Sequence, residues 1–235
     1  ENSGVKGNVL GGDPIVTGVA EDSRRVEPGQ VFVATKGVSS DSHLFISDTV
    51  EAGAAAVVSE QPIAAYPGVA VVQVADSRDA LGRLAHAMIG NPSRDMLVLG
   101  VTGTNGKTTT TYLLESILTA AGYNAAVLGT IEYRFAGQRI EAANTTPSAA
   151  QLARLFGQMK DAGVNAVAME ISSHAADQRR ISGIDFDGCI ITNITQDHLD
   201  YHGTMEKYAA AKLEIFTDFL QRDAAGKSRQ PVSIL

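Results

Sequence analysis

The sequence predicts an α/β protein, with a small N-terminal α/β domain followed by a doubly wound, mostly parallel sheet of the P-loop type. Three observations predict it. Short apolar, β-rich runs alternate with helical periodicity along most of the chain, and a glycine-rich turn at 103–106 lies between one such run and one such helix. The pattern breaks once, at Gly90-Asn91-Pro92-Ser93, where Pro92 disfavours helix at Asn91. Residues 1–91 and 92–235 are therefore read as two domains, and the ligand site of the second is expected at the carboxyl ends of its strands.

In the first domain, Val31 to Ala34, Ala55 to Val58 and Val69 to Val74 read as strands, with helical patterns around His43 to Ala52 and Arg78 to Ile89. In the second, strand is expected over 97–102, helix over 107–121 closed by Gly122, strand over 125–130 and helix over 148–162 closed by Gly163. Strands over 164–171 and 188–194 and a helix from Thr204 to about Arg222 follow. Asp223 to Pro231 is polar and broken, and Val232-Ser233-Ile234-Leu235 reads as the start of another strand.

The 235 residues suffice for two modest domains, each with its own core. Hydrophobic content of 44% and charged content of 19% describe an ordinary globular chain, and a formal charge of −7 argues against nucleic acid as a partner. No apolar run approaches the ~18 residues that would cross a bilayer, so no membrane insertion is expected. The lone Cys189 lies in an apolar run and cannot form an internal disulfide, which fits a reducing cytoplasm. The chain begins at Glu1 without methionine, so further residues are expected before it.

The stretch GVTGTNGKTTTT at 100–111 carries the strongest chemistry. Glycines at a strand-to-helix junction let backbone N–H groups and the helix N-terminus cradle an anion. Lys107 can then reach terminal phosphates, and the Thr108 hydroxyl can hold Mg²⁺. The common G-x-x-x-x-G-K-[ST] spacing would need glycine at 101, where Val101 stands.

Three further groups fall at strand ends or beside them. Glu170-Ile171-Ser172-Ser173-His174 delivers a carboxylate suited to Mg²⁺, which needs only one or two protein carboxylates besides phosphates; capping of the next segment is the alternative. Thr195-Gln196-Asp197-His198-Leu199-Asp200-Tyr201-His202 places two histidines and two acids together, either for metal or phosphate work or as a solvated loop. Lys212 falls on the apolar stripe Met205, Tyr208, Ala209, Phe216, Phe219, Leu220. Its stem can cover apolar surface with the amine in water. Alternatively, burial disfavours the charge, and the neutral amine can take up CO₂ as a carbamate, an anionic ligand for Mg²⁺.

These stretches together resemble the Mur ligases, ATP-dependent enzymes that add amino acids to the UDP-linked peptidoglycan precursor. The resemblance is carried by GVTGTNGKTTT, Asn144-Thr145-Thr146-Pro147, Glu170-Ile171-Ser172-Ser173-His174 and TNITQDHLDYHGTMEKYAAAK from Thr192 to Lys212. Asp22-Ser23-Arg24 and Pro28 to Ala34 carry it in the first domain. Within the family, the DHLDYHGTMEKY stretch favours the branch that adds the third residue over the sibling that adds the terminal D-Ala-D-Ala dipeptide.

The resemblance implies an N-terminal UDP-substrate domain and a central ATP-binding domain. Gly103, Thr104, Asn105, Gly106, Lys107, Thr108 and Thr109 would bind ATP, with Thr108, Glu170, His198 and carbamylated Lys212 around Mg²⁺. Ser23 would contact the uridine diphosphate, with the Val38-Ser39-Ser40 loop nearby. Asn144, Thr145, Thr146, Ser172, Gln178 and Arg180 would hold the muramoyl dipeptide. Lys107, Lys212 and His198 would serve catalysis. The implied chemistry is activation of the D-glutamate carboxylate of UDP-MurNAc-L-Ala-D-Glu as an acyl phosphate, then attack by the amine of diaminopimelate or lysine, by a cytoplasmic monomer. Two departures stand beside this. The loop before His43 lacks the glycine that many relatives have there, and the chain is expected to be a fragment that stops before the family's C-terminal domain and cannot ligate alone. A non-catalytic binding or regulatory module is the alternative.

Overall fold

The computed structural model describes residues 3–37, 41–220 and 232–234. They divide into two compact units, Glu1–Gly90 and Asn91–Leu235.

The first unit holds β1 (Gly7–Leu10), β2 (Val19–Ala20), β3 (Val31–Val33), β4 (Ala56–Ser59) and β5 (Ala70–Val74), with helices α1 (Ile46–Glu51) and α2 (Ser77–Met88). Its sheet order is β1-β5-β4-β3-β2, parallel except where β1 meets β5. The strands β3 and β4 are buried throughout, as continuous apolar runs in parallel sheets must be. Phe32, Ala34, Ile46, Ala54, Val57 and Val69 form the core between sheet and α1. Asp76 caps α2 by accepting from the Asp79 N–H at 2.9 Å. The edge strands β1 and β2 were not anticipated from the sequence, because Gly7-Asn8-Val9-Leu10 is exposed throughout and Val19-Ala20 is too short to leave a periodic signature.

The second unit contains β6 (Leu97–Thr102), α3 (Lys107–Ala120), β7 (Ala125–Leu128), β8 (Glu132–Phe135), β9 (Gln138–Glu141) and α4 (Ala149–Asp161). It continues with β10 (Ala166–Glu170), α5 (Ser173–Asp177), β11 (Gly188–Ile191), α6 (Leu199–His202), α7 (Met205–Glu214) and β12 (Val232–Ile234). The sheet order is β12-β11-β6-β10-β7-β8-β9. All pairs are parallel except β7 with β8 and β8 with β9. Central β6 and β10 therefore end side by side, which brings the glycine-rich turn next to Glu170.

Several boundaries differ from expectation for local reasons. Strand β7 stops at Leu128, because Gly129 and Thr130 turn against Glu170; a Cβ at Gly129 would stand 2.3 Å from Glu170 Oε1. Strand β11 stops at Ile191, since Thr192 and Asn193 turn to bond the glycine loop. Helix α7 ends at Glu214 and continues as a π-helical turn, Ile215–Phe219. The last two residues of the expected helix, 221 and 222, and the polar stretch 223–231 lie outside the described residues, as does the Val38-Ser39-Ser40 loop. The hairpin β8–β9 was passed over in the sequence, although Glu132-Tyr133-Arg134-Phe135 alternates and Tyr133 and Phe135 are buried.

Candidate active site

The glycine loop is closed by main-chain geometry. Gly103 has φ +139, and a Cβ there would lie 2.0 Å from Thr192 Oγ1, so only glycine lets β6 and the β11 exit approach so closely. Gly106 has φ +86 and starts α3. The loop is stitched to the segment after β11: Thr104 N–H donates to the Asn193 carbonyl (3.0 Å), Asn105 N–H to Asn193 Oδ1 (3.1 Å), and Thr192 Oγ1 to the Asn105 carbonyl (2.6 Å). The Thr104 hydroxyl accepts from Thr195 N–H at 2.9 Å and meets the Tyr208 hydroxyl at 2.9 Å.

Two lysines converge on this loop. Lys107 Nζ donates to the carbonyls of Gly103 (2.8 Å) and Thr104 (3.0 Å), and Lys212 Nζ donates to the same Gly103 carbonyl at 3.0 Å. Lys212 is only 2% exposed and lies 4.7 Å from the centre of the Tyr208 ring. The stem-over-surface alternative is thus not what the fold adopts. Burial, helped by the neighbouring Lys107 charge, pushes the Lys212 amine down to about 8, with Asp197 pulling the other way. Lys107 is also lowered by burial, against the opposing pull of Glu170 and Asp197. Thr108 follows Lys107 in the first turn of α3, and Thr109 is exposed on the same turn.

Glu170 ends β10 and is 1% exposed. It does not cap the next segment; Ser172 does, accepting from Ala175 N–H at 3.1 Å. The Glu170 carboxylate instead accepts from Thr130 N–H (3.0 Å) and the Thr130 hydroxyl (3.0 Å). Around it the structure gathers the residues predicted to hold substrate. Thr145 Oγ1 lies 3.1 Å from Thr130 Oγ1, and Thr146 Oγ1 donates to the Glu170 carbonyl and accepts from Ser172 N–H. Arg180 donates to the Thr146 carbonyl and, through a two-pronged contact, to Gln178 Oε1. The Asn144 carbonyl accepts from the Tyr133 hydroxyl at 2.6 Å.

His198 sits at the start of α6 with φ +50, a left-handed conformation, and its side chain is 45% exposed beside Asp197. Its ring meets that of His174 at 4.8 Å, and His174 in turn meets Tyr201 and His202. Burial lowers both His174 and His202. Among the described residues, no hydrogen bond or ion pair joins Glu170 to Lys107, Lys212 or His198, and no group of three or more His, Cys, Asp or Glu forms a metal cluster. The predicted set of Thr108, Glu170, His198 and Lys212 includes only two residues of those types. Thr130 and Tyr208 were missed as site residues. Thr130 bears no motif, and Tyr208 reads as one more apolar position of its helix.

Ser23 belongs to the other unit. It opens a 3₁₀ turn, Ser23–Arg25, capped by Asp22, and it lines a groove of about 650 Å³ with Glu21, Arg24, Ser42, Phe45 and Asp48. Arg24 grips Asp22 at 2.8 and 2.9 Å and holds its carboxyl down to about 2.

Residues 101–225 match the family described as the Mur ligase middle domain, and residues 15–88 match the catalytic domain of the Mur ligase family. The chain is 46% identical over 219 residues to the UDP-N-acetylmuramoyl-L-alanyl-D-glutamate--2,6-diaminopimelate ligase of Geobacter sulfurreducens, covering 93% of this chain and 43% of that one. It is 47% identical over 212 residues to the ligase of the same name from Geobacillus kaustophilus, covering 90% and 43%. A solved structure of a ligase of that name superposes with a TM-score of 0.75 at 28% identity, covering 93% of this chain and 47% of that chain. The MurF ligase from Thermotoga maritima in complex with ADP superposes with a TM-score of 0.56 at 22% identity, covering 93% and 45%, a likeness of fold. The chain thus spans less than half the length of these relatives.

Proposed function

Because the chain belongs to the Mur ligase family, we propose that it forms the UDP-substrate and ATP-binding parts of a cytoplasmic ligase that joins 2,6-diaminopimelate to UDP-N-acetylmuramoyl-L-alanyl-D-glutamate. The observation that carries this reading is the meeting of Lys107 and Lys212 on one carbonyl of the glycine loop, at the end of the strand next to Glu170. Lys107 on a backbone cradle suits the polyphosphate of ATP as substrate, and Lys212 beside it suits the metal that such a phosphate brings. A ring of hydroxyls and an arginine one strand away suits the acceptor.

The residues fit Mg²⁺. Glu170 is a buried anion held by neutral donors alone, and each of its oxygens keeps a lone pair for a hard cation. Thr108, Glu170, His198 and Lys212 would hold the ion, which when bound neutralises phosphate charge. Lys212 as an ammonium is a donor, not a ligand. It would present oxygens only after its neutral nitrogen has added to CO₂ with loss of a proton, and a value near 8 keeps part of it neutral at physiological pH.

The remaining work is positioning. The N-terminus of α3 orients the γ-phosphate, and Lys107 stabilises the charge that spreads over the phosphoryl group as it moves. Arg180, fixed by Gln178 and Thr146, orients the acceptor so that its D-glutamate carboxylate stands in line. The carboxylate displaces ADP to give an acyl phosphate, and the incoming amine then displaces phosphate. Ser23 and its groove would seat the uridine diphosphate end.

In the full-length ligase, ATP-dependent phosphate release should require both UDP-MurNAc-L-Ala-D-Glu and meso-diaminopimelate and yield the labelled UDP-tripeptide. Turnover only with UDP-tripeptide and D-Ala-D-Ala would assign the chain to the sibling enzyme instead.

A further inference from the structure

Arg179 lies between the two proposed acceptor residues Gln178 and Arg180, and it holds a left-handed backbone, φ +55, that non-glycine residues rarely adopt. Its neighbours bond each other and Thr146, whereas Arg179 reaches a different element. Its guanidinium pairs with Glu214 at 2.5 Å and with Asp218, and lies 5.1 Å from the centre of the Phe219 ring. Glu214 is two residues beyond Lys212 on α7, and Asp218 and Phe219 belong to the π-helical turn that follows. The left-handed backbone closes α5: the Arg179 N–H bonds the Ala176 carbonyl (3.0 Å) and the Arg180 N–H the Ala175 carbonyl (2.9 Å), and this helix end aims the Arg179 side chain away from its neighbours, toward a π-helical turn of the kind found at functional sites. A planar fork that meets two carboxylates and a ring fixes both the angle and the register of the helix it grips.

We propose that Arg179 is a positioning residue: it clamps the helix that carries Lys212 to the segment that carries Gln178 and Arg180, so that the lysine and the acceptor site keep one register. Resting on the ligase reading above, this assigns Arg179 no contact with substrate. It couples the two halves of the site through Glu214 and Asp218.

The test uses the full-length ligase with Arg179→Ala, Arg179→Gly and the paired Glu214→Gln/Asp218→Asn. Each should lower kcat by about tenfold to about a hundredfold, with KM for the UDP-dipeptide held within about threefold, as expected when reacting groups are misplaced and binding is kept. Each should also speed amide exchange over 205–220 but not over 97–102. Arg179→Gly keeps the left-handed backbone and removes the guanidinium, so wild-type kcat and exchange in that variant would overturn the clamp. If an arginine variant does not fold, the paired carboxamide variant reads the same interaction with Arg179 in place. A wild-type enzyme that fails to ligate would defeat the ligase reading instead, and unchanged exchange over 205–220 in the variants would still overturn the clamp.

Discussion

The glycine loop and the ring around Glu170 stand at the ends of adjacent strands, yet opposite means build them. The loop is a main-chain structure made from consecutive residues, closed by Gly103, and its own backbone groups take up the backbone and side chains of Thr192 and Asn193. The ring is a side-chain structure assembled from Thr130, residues 144–146, Glu170, Ser172, Gln178 and Arg180. A site held by the main chain can lose a functional side chain and keep its shape. A site held by side chains loses shape and function together.

The largest expected effect lies at the loop. Lys107→Ala should lower kcat of the full-length ligase by about a thousandfold, the scale of losing a preorganised charge at a moving phosphoryl group, while the thermal midpoint stays close to wild type. A matching collapse of stability would break the contrast.

The next lies at Lys212, which bridges the loop and the helix beyond it. Its folded-state value is depressed from 10.5 to about 8, so between those values the unfolded chain binds the proton more tightly and wild-type stability rises with pH. Below about 8 the full penalty of a buried ammonium is present. Lys212→Met should therefore gain stability relative to wild type at pH 7, and that relative gain should shrink by roughly 2 to 3 kcal/mol by pH 10.5, after allowance for solvent screening. Denaturant unfolding at both pH values measures it, and a pH-independent difference would mean an ordinary lysine.

The smallest lies at the ring. Thr130→Val removes one donor from a carboxylate that is 1% exposed, and should destabilise the protein by about 1 to 2 kcal/mol, a cost that unfolding by urea resolves. A neutral result would show that Glu170 does not depend on its side-chain support.

The same contrast explains what could be read from the sequence. GTNGKT is contiguous, so strand, turn, lysine and helix announced themselves, and the mostly parallel pairing of the central strands followed from their alternation with helices. Thr130 reaches Glu170 across forty residues of sequence, and nothing in its own neighbourhood marks it. Tyr208 looked like core because an aromatic on an apolar stripe usually is; its hydroxyl contact with Thr104 is a property of the fold. The burial of Lys212 was undecided in the residues alone, since a lysine stem can lie over apolar surface in either case. The hairpin β8–β9 was readable from its alternation but is only four residues a side, and its ion pair from Arg134 to Glu115 depends on helix α3 lying alongside.

In the form without a carbamate, the protonated Lys212 and Lys107 share a single carbonyl oxygen and repel each other, and the fold holds them there regardless. That repulsion is tension already present before any ligand arrives. On the reading proposed above, a polyanion entering the loop, or conversion of Lys212 to a carbamate, would release it, so part of the attraction for phosphate would be stored in advance by the protein, as in a drawn bow. Because Lys212 is 2% exposed and both amines sit on one oxygen, added salt should screen the visitor on its approach far more than the two cations from one another.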